Sequence, residues 1–257
     1  MTMIILVMTL VSACSNSNST SDGIDQLVVG FDASFPPYGY QDETGEYVGF
    51  DLDLAQEVCD RLGIELVKQP IDWDSKDMEL SSGAIDCIWN GFTMSEERLD
   101  TYTWSTPYVD NSQVFVVSSD SGIETIHDLE GKVVVVQVGS SALEALNGED
   151  TYAITQSFAE LVEVAEYNTA FMNLEAGAAD AVALDIGVAN YQLTSRGDQF
   201  VILEEALATE VYAVGFSLGD TALRNMVQEQ LDAMIEDGTF LEIATKWGLE
   251  DSVILNN

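Results

Sequence analysis

Residues 80–90, Leu-Ser-Ser-Gly-Ala-Ile-Asp-Cys-Ile-Trp-Asn, are echoed by residues 174–185, Leu-Glu-Ala-Gly-Ala-Ala-Asp-Ala-Val-Ala-Leu-Asp. Both follow the pattern LxxGAxD and then turn apolar. The pattern describes a helix that ends on a left-handed glycine, a tight turn, and a strand entering a sheet. Two copies predict two similar α/β lobes.

Outward from these corners the hydrophobic pattern alternates between strand-like and helical stretches. Strand-like runs are LVVGF from Leu27, ELV from Glu65, IDCIW from Ile85, QVFVV from Gln113, VVVVQV from Val133, AVAL from Ala181, FVIL from Phe200 and YAVGF from Tyr212. The clearest helical stretches are 51–62, 142–146, 158–165, 169–176 and 186–193, with a long pair over 221–246 broken at Gly238. Apolar strands separated by helices predict an α/β architecture with largely parallel sheets covered on both faces. The length of 257 residues allows one large domain or two small ones.

Composition narrows the partners. The chain carries 45 Asp and Glu against 8 Lys and Arg, a formal charge of −37. Binding to a phosphate backbone needs clustered cations, so nucleic acid is excluded as a ligand. At 47% hydrophobic residues the chain has a core to bury and is not disordered.

The first residues, MTMIILVMTLVSAC, form an apolar run shorter than the ~20 residues that span a bilayer. Small residues precede Cys14, and Val11-Ser12-Ala13-Cys14 resembles a lipobox. Residues 1–14 therefore read as an export signal with Cys14 as the lipidation site, although no Lys or Arg occurs before Arg61. The polar residues 15–25 read as a flexible tether. Cys59 and Cys87 remain, either bridged after export or buried as free thiols. His127 is the sole histidine and no CxxC motif occurs, so no zinc site is expected.

Ligands of open α/β sheets bind beyond the carboxyl ends of the strands. After IDCIW come Asn90, Gly91, Thr93 and then Arg98; after AVAL comes Asp185. One lobe offers a cation with hydroxyl and backbone donors, the other an anion. Across a cleft the two would match a zwitterion.

Several ordered motifs carry a family resemblance: DASFPPY from Asp32, GFDLDLAQEVCDRL from Gly49, WNGFTMSEERLDTYTWSTPY from Trp89, DLEGKVVVVQVGSSA from Asp128 and GAADAVALD from Gly177. In these the chain resembles the bacterial extracellular solute-binding proteins, family 3, the polar amino acid group that serves ABC importers. The resemblance implies a two-lobed type II periplasmic-binding-protein fold, a Venus flytrap, each lobe a mostly parallel sheet flanked by helices. Lobe one would take residues 26–108 and 216–257 and lobe two residues 113–210, with hinge strands at 109–112 and 211–215. It also implies an extracytoplasmic monomer, anchored to the membrane through a lipid on Cys14, that hands an amino acid to a permease without any cofactor or catalysis.

Residue by residue, the resemblance gives Arg98 the ligand carboxylate, held by two parallel hydrogen bonds. The plain alternative is that Arg98 pairs with the acids of EERLD on a helix surface. Asn90, Gly91 and Thr93 would surround the ligand, Thr93 with its hydroxyl and Gly91 with backbone. Ser141 would add a hydroxyl at a helix N-terminus, where anions are favoured, or would merely cap that helix. Asp185 would accept the ammonium and, standing just before a helix, could serve as its N-cap as well. Phe35, Phe50 and Trp89 would wall the ligand side chain; Trp73 reads equally as core. Asp32 would lie at the far end of the pocket with Gln137 entering from the other lobe, a pair that leans toward arginine or another basic amino acid, with glutamine next.

Two rival functions share the fold: a dehydratase, and a sensory ligand-binding protein. The absence of GxSxG or a Cys/His pair weighs against the first, and the absence of an apolar span after Gly248 against the second. Of the eight cations, Arg98 is the one assigned to the pocket.

Overall fold

The computed structural model describes residues 23–255, so Cys14, the signal segment and most of the tether lie outside the described residues. The described chain opens with β1 (Gln26–Phe31), a small sheet of β2 (Ser34–Phe35), β3 (Gly39–Gln41) and β4 (Tyr47–Val48), then α1 (Phe50–Leu62), β5 (Glu65–Pro70), α2 (Lys76–Ser82), β6 (Cys87–Ile88) and β7 (Tyr102–Trp104). The long β8 (Val109–Ser118) leads into β9 (Val133–Gln137), α3 (Ser141–Asn147), α4 (Tyr152–Thr155), β10 (Glu160–Val164), α5 (Tyr167–Glu175), β11 (Ala181–Asp185), α6 (Ile186–Arg196) and β12 (Phe200–Ile202). β13 (Ala208–Tyr212) leads back to β14 (Gly215–Ser217), followed by α7 (Thr221–Asp237) and α8 (Thr239–Trp247).

Two large sheets result, ordered β5-β1-β6-β14-β7 and β10-β9-β11-β8-β12, with β13 paired to β8. Both follow one plan: second strand, first, third, a crossing strand, fourth. The expected parallel sheets each carry one reversed strand. It is β14 in the first sheet and β8 in the second, because these are the strands that arrive from the other lobe.

The sequence echo has a shared physical basis. Gly83 and Gly177 both adopt left-handed φ, at +74° and +68°. The aspartate of each copy then ties its strand to the first strand of the same sheet. Val28 N–H donates to Asp86 Oδ2 at 2.7 Å, and Val133 N–H donates to Asp180 Oδ2 at 2.8 Å. Each corner thus fixes where its third strand begins, and hence where that strand delivers its last residues.

The run VVVVQ of β9 is apolar without alternation because both sheet faces are covered. Val134 and Val136 pack with Phe115, Leu146 and Ala183, while Val135 packs with Val114, Tyr167 and Val182. Residues 158–165 depart from expectation. Phe158, Leu161, Val162 and Ala165 fit a helical period, yet Glu160–Val164 form an edge strand paired in parallel with β9. Leu161, Val162 and Val164 are half-buried there, while Glu160 and Glu163 point to solvent; a short apolar run cannot separate the two states by period alone. Cys59 and Cys87 are buried free thiols.

β8 and β13 pair antiparallel from Val109↔Tyr212 to Gln113↔Ala208. The C-terminal segment adds to the start of this ribbon, with Asp110 N–H donating to Ser252 O at 2.8 Å and Ile254 N–H to Tyr108 O at 2.9 Å.

Candidate ligand-binding cleft

The carboxyl ends of β6 and β11 face one another across a narrow, nearly closed cavity of about 10 Å³. Its walls are Phe35, Trp73, Asn90, Gly91, Thr93 and Arg98 on one side, and Gln137, Ser140, Ser141 and Asp185 on the other. Gly91 takes a left-handed φ of +56°, and a Cβ there would lie 2.7 Å from the Phe35 ring. Its N–H donates to Asp51 Oδ2 at 2.5 Å. Asp51, from the GFDLDLAQEVCDRL motif, is fully buried and also accepts from the Tyr108 hydroxyl at 2.9 Å. Asn90 is almost wholly buried, yet neither its Nδ2 nor its Oδ1 has a hydrogen-bond partner in the protein.

The two capping readings are decided by geometry. Ser140 is the N-cap of α3, accepting from Leu143 N–H at 3.1 Å, which leaves the Ser141 hydroxyl to meet Thr93 Oγ1 at 3.0 Å across the cleft. Asp185 stands at the N-cap of α6 but its side chain makes no capping bond. Instead Asp185 Oδ1 accepts from Asn111 Nδ2 at 2.8 Å, Gln113 Nε2 at 2.7 Å and Tyr212 Oη at 2.5 Å. Burial, and then the neighbouring Glu210, raise its pKa above the usual carboxylate range.

Arg98 does not pair with the acids of its own segment. Its Nε donates to Glu144 Oε1 at 2.7 Å, from α3 on the other side of the cleft, and Nη2 contacts the same carboxylate. Nη1 and Nη2 reach the carbonyls of Thr93 and Gly139 at 3.3 Å, and the guanidinium lies 5.1 Å from the Phe92 ring centroid.

Several groups at the cleft escaped the sequence reading. Glu210 Oε1, on β13, accepts from Thr93 Oγ1, Asn111 Nδ2 and Gln113 Nε2, each at 2.7 Å, and from Ser141 Oγ at 3.2 Å. Asn111, Gln113 and Tyr212 complete the cluster. The signal for them was the spacing of two along paired strands, Asn111-x-Gln113 on β8 and Glu210-x-Tyr212 on β13, which puts each pair on one face. Lys76 is a second cation at the cleft, donating to Gly139 O at 3.1 Å. Burial and the nearby Arg98 lower its pKa.

At the far end, Gln137 Nε2 donates to Asp32 Oδ2 at 2.6 Å. Asp32 stands behind Gln137 rather than on the cavity wall, beside an outer groove that also carries Asp72, Glu79 and Glu166. Trp73 both walls the cavity and packs on Phe92. Phe50 and Trp89 are corrections: neither lines the cavity. Phe50 packs on Tyr38, Tyr108 and Phe240 in the core of lobe one. Trp89, just past the end of β6, is fully buried away from the cavity, whereas its neighbour Asn90 lines it.

Burial lifts Asp32 to about 6 and Asp51 to about 7, in both cases against hydrogen bonds that favour the charged form. A carboxyl raised in the folded state costs nothing below its unfolded pKa near 4, and its cost grows until the pH passes the folded value. Hydrogen bonds instead lower Asp42 and Asp128, and the Arg61 contact holds Asp237 at about 2, so their stabilisation is lost only in stronger acid. The ligand-free protein is therefore expected to melt higher at pH 5 than at pH 8 in scanning calorimetry. A higher midpoint at pH 8 would contradict the assignment of these buried carboxyls.

The chain matches the bacterial extracellular solute-binding proteins, family 3, over residues 27–250. It belongs to that family. The protein is thus a binding protein of ABC importers and not an enzyme. It is similar to the L-cystine-binding protein TcyJ of Escherichia coli K12, at 30% identity over 86% of this chain and 82% of that protein. It is also similar to the arginine-binding extracellular protein ArtP of Bacillus subtilis 168, at 28% identity over 92% and 91% of the two chains. A solved binding protein of Streptococcus pneumoniae with bound histidine superposes with a TM-score of 0.85 at 36% identity, covering 89% of this chain and 94% of that one. The fold is accordingly the two-lobed type II periplasmic-binding-protein fold. Among the described residues of the binding protein, no helix is long and apolar enough to cross a membrane and no cluster of His, Cys, Asp and Glu could hold a metal ion.

Proposed function

We propose that this binding protein captures the zwitterion of a polar or basic amino acid, arginine-like first and glutamine next, and delivers it to an ABC importer by hinge closure. One observation carries the reading: Arg98 and Asp185, of opposite charge, reach one cavity from opposite lobes. A ligand that holds its carboxylate on Arg98, Thr93 and Ser141 and its ammonium on Asp185 touches both lobes only when they are closed, and so favours closure. Lobe one would comprise residues 26–108 and 216–257 and lobe two 113–210, bending at 109–112 and 211–215. Cys14 would anchor this monomer outside the cytoplasm.

The lean toward a basic side chain rests on the acidic far end. Glu166 and Asp72 add to the burial that raises Asp32, and no cation lines that groove among the described residues. The relatives named above bind cystine, arginine and histidine, so the family alone names no single ligand. The test is a titration-calorimetry panel of the common amino acids on the wild type and on Asp32→Asn. Arginine is expected to bind wild type best and to lose several-fold in the variant, because the negative charge behind Gln137 is removed, with glutamine changed twofold at most. Equal losses for both ligands would remove the argument for a basic ligand, and turnover of any ligand would overturn the binding role.

A further inference from the structure

We propose that Glu144 is a positioning residue that aims Arg98 at the ligand and latches the two lobes; the inference rests on the reading of Arg98 given above. Both carboxylate oxygens of Glu144 are committed to one turn of the opposite lobe. Oε1 accepts from Arg98 Nε at 2.7 Å and also contacts Nη2, while Oε2 accepts from the Ser95 hydroxyl at 2.9 Å. Glu144 itself does not wall the cavity; it faces an outer groove, with a quarter of its side chain exposed.

The donor count of the guanidinium gives this contact its meaning. Arg98 has five N–H groups. Glu144 takes the side-on edge, Nε with one hydrogen of Nη2. The end-on edge, Nη1 with Nη2, meets only two carbonyls at 3.3 Å. That edge is what a ligand carboxylate needs for two parallel hydrogen bonds. The Phe92 ring beneath the plane fixes the remaining rotation. Because Ser95 and Arg98 follow β6 and Glu144 sits on α3, the contacts exist only when the lobes meet. Ser141, which faces Thr93 across the cleft, is on the same helix as Glu144, so docking of α3 places the anion donor and the latch together.

The test is Glu144→Gln, which keeps the shape and removes the charge. Stopped-flow binding of arginine is expected to show about tenfold faster dissociation with little change in association, since the latch forms after encounter. The difference between variant and wild type should shrink in 1 M salt, where a part-exposed ion pair is screened; a purely structural role would leave it salt-independent. In small-angle scattering the ligand-free variant should have a larger radius of gyration than the wild type at an unchanged melting temperature. Unchanged dissociation with an unchanged radius overturns the latch, as does tighter binding, which would make Glu144 a competitor for Arg98. A wild type that binds no amino acid in the panel refutes the parent reading instead, and the scattering comparison still tests Glu144.

Discussion

Arg98→Ala is expected to abolish amino acid binding in titration calorimetry while the ligand-free protein keeps its fold and nearly its melting temperature. Removing one member of a buried, hydrogen-bonded charge pair costs about 2–5 kcal/mol, roughly 30-fold to several thousand-fold in affinity. The loss falls on binding more than on folding because of what Arg98 leaves behind. Its main protein partner, Glu144, is part-exposed and can be rehydrated, whereas a ligand carboxylate sealed in the cavity cannot. Arg98→Lys keeps the charge but not the planar fork, so it should recover only part of the affinity. Undiminished affinity in the alanine variant would remove Arg98 from the site altogether.

Asp185→Asn is expected to separate binding from stability. Affinity for a zwitterion should fall about as far as with Arg98→Ala, because the ammonium loses its charged partner on β11. Stability should move the other way. Asp185 is buried beside Glu210 and its pKa is raised, so its ionised form is a cost to the folded state. That cost is absent below about pH 4 and complete once the pH exceeds the folded value. A neutral amide escapes it. The ligand-free variant should therefore melt higher than wild type at pH 8 and equal to it at pH 4. A variant that melts lower at pH 8 would mean that the carboxylate serves the fold, through Asn111, Gln113 and Tyr212, more than it serves a ligand.

The parts of the site that could be read from sequence are those that end a recognisable corner. Asn90, Gly91 and Thr93 follow the strand that Gly83 and Asp86 place, and Asp185 closes the strand that Gly177 and Asp180 place. In each case a glycine cap, a strand length and the carboxyl-end rule together fix an address. Glu210, Asn111 and Gln113 had no such corner. They lie in mid-strand on β13 and β8, and they converge only through the register of that pairing. Glu144 was hidden for a related reason: its partner lies across the cleft, and sequence adjacency pointed instead to Glu96 and Glu97. Phe50 was misassigned because aromatic rings suit a ligand wall and a helix interface equally. The packing of α1 on α8 through Phe240 decides for the interface.

The two crossings are not separate tethers, because β8 and β13 are hydrogen-bonded to one another along five residue pairs. Independent tethers would let the lobes slide, twist and part as well as bend. A ribbon of two paired strands behaves as a leaf spring, stiff against shear and compliant mainly in one direction. Every capture cycle would then return the same wall atoms to the same places. Ligands of different length would be sorted by the depth of the pocket, not by how far the jaws happen to travel.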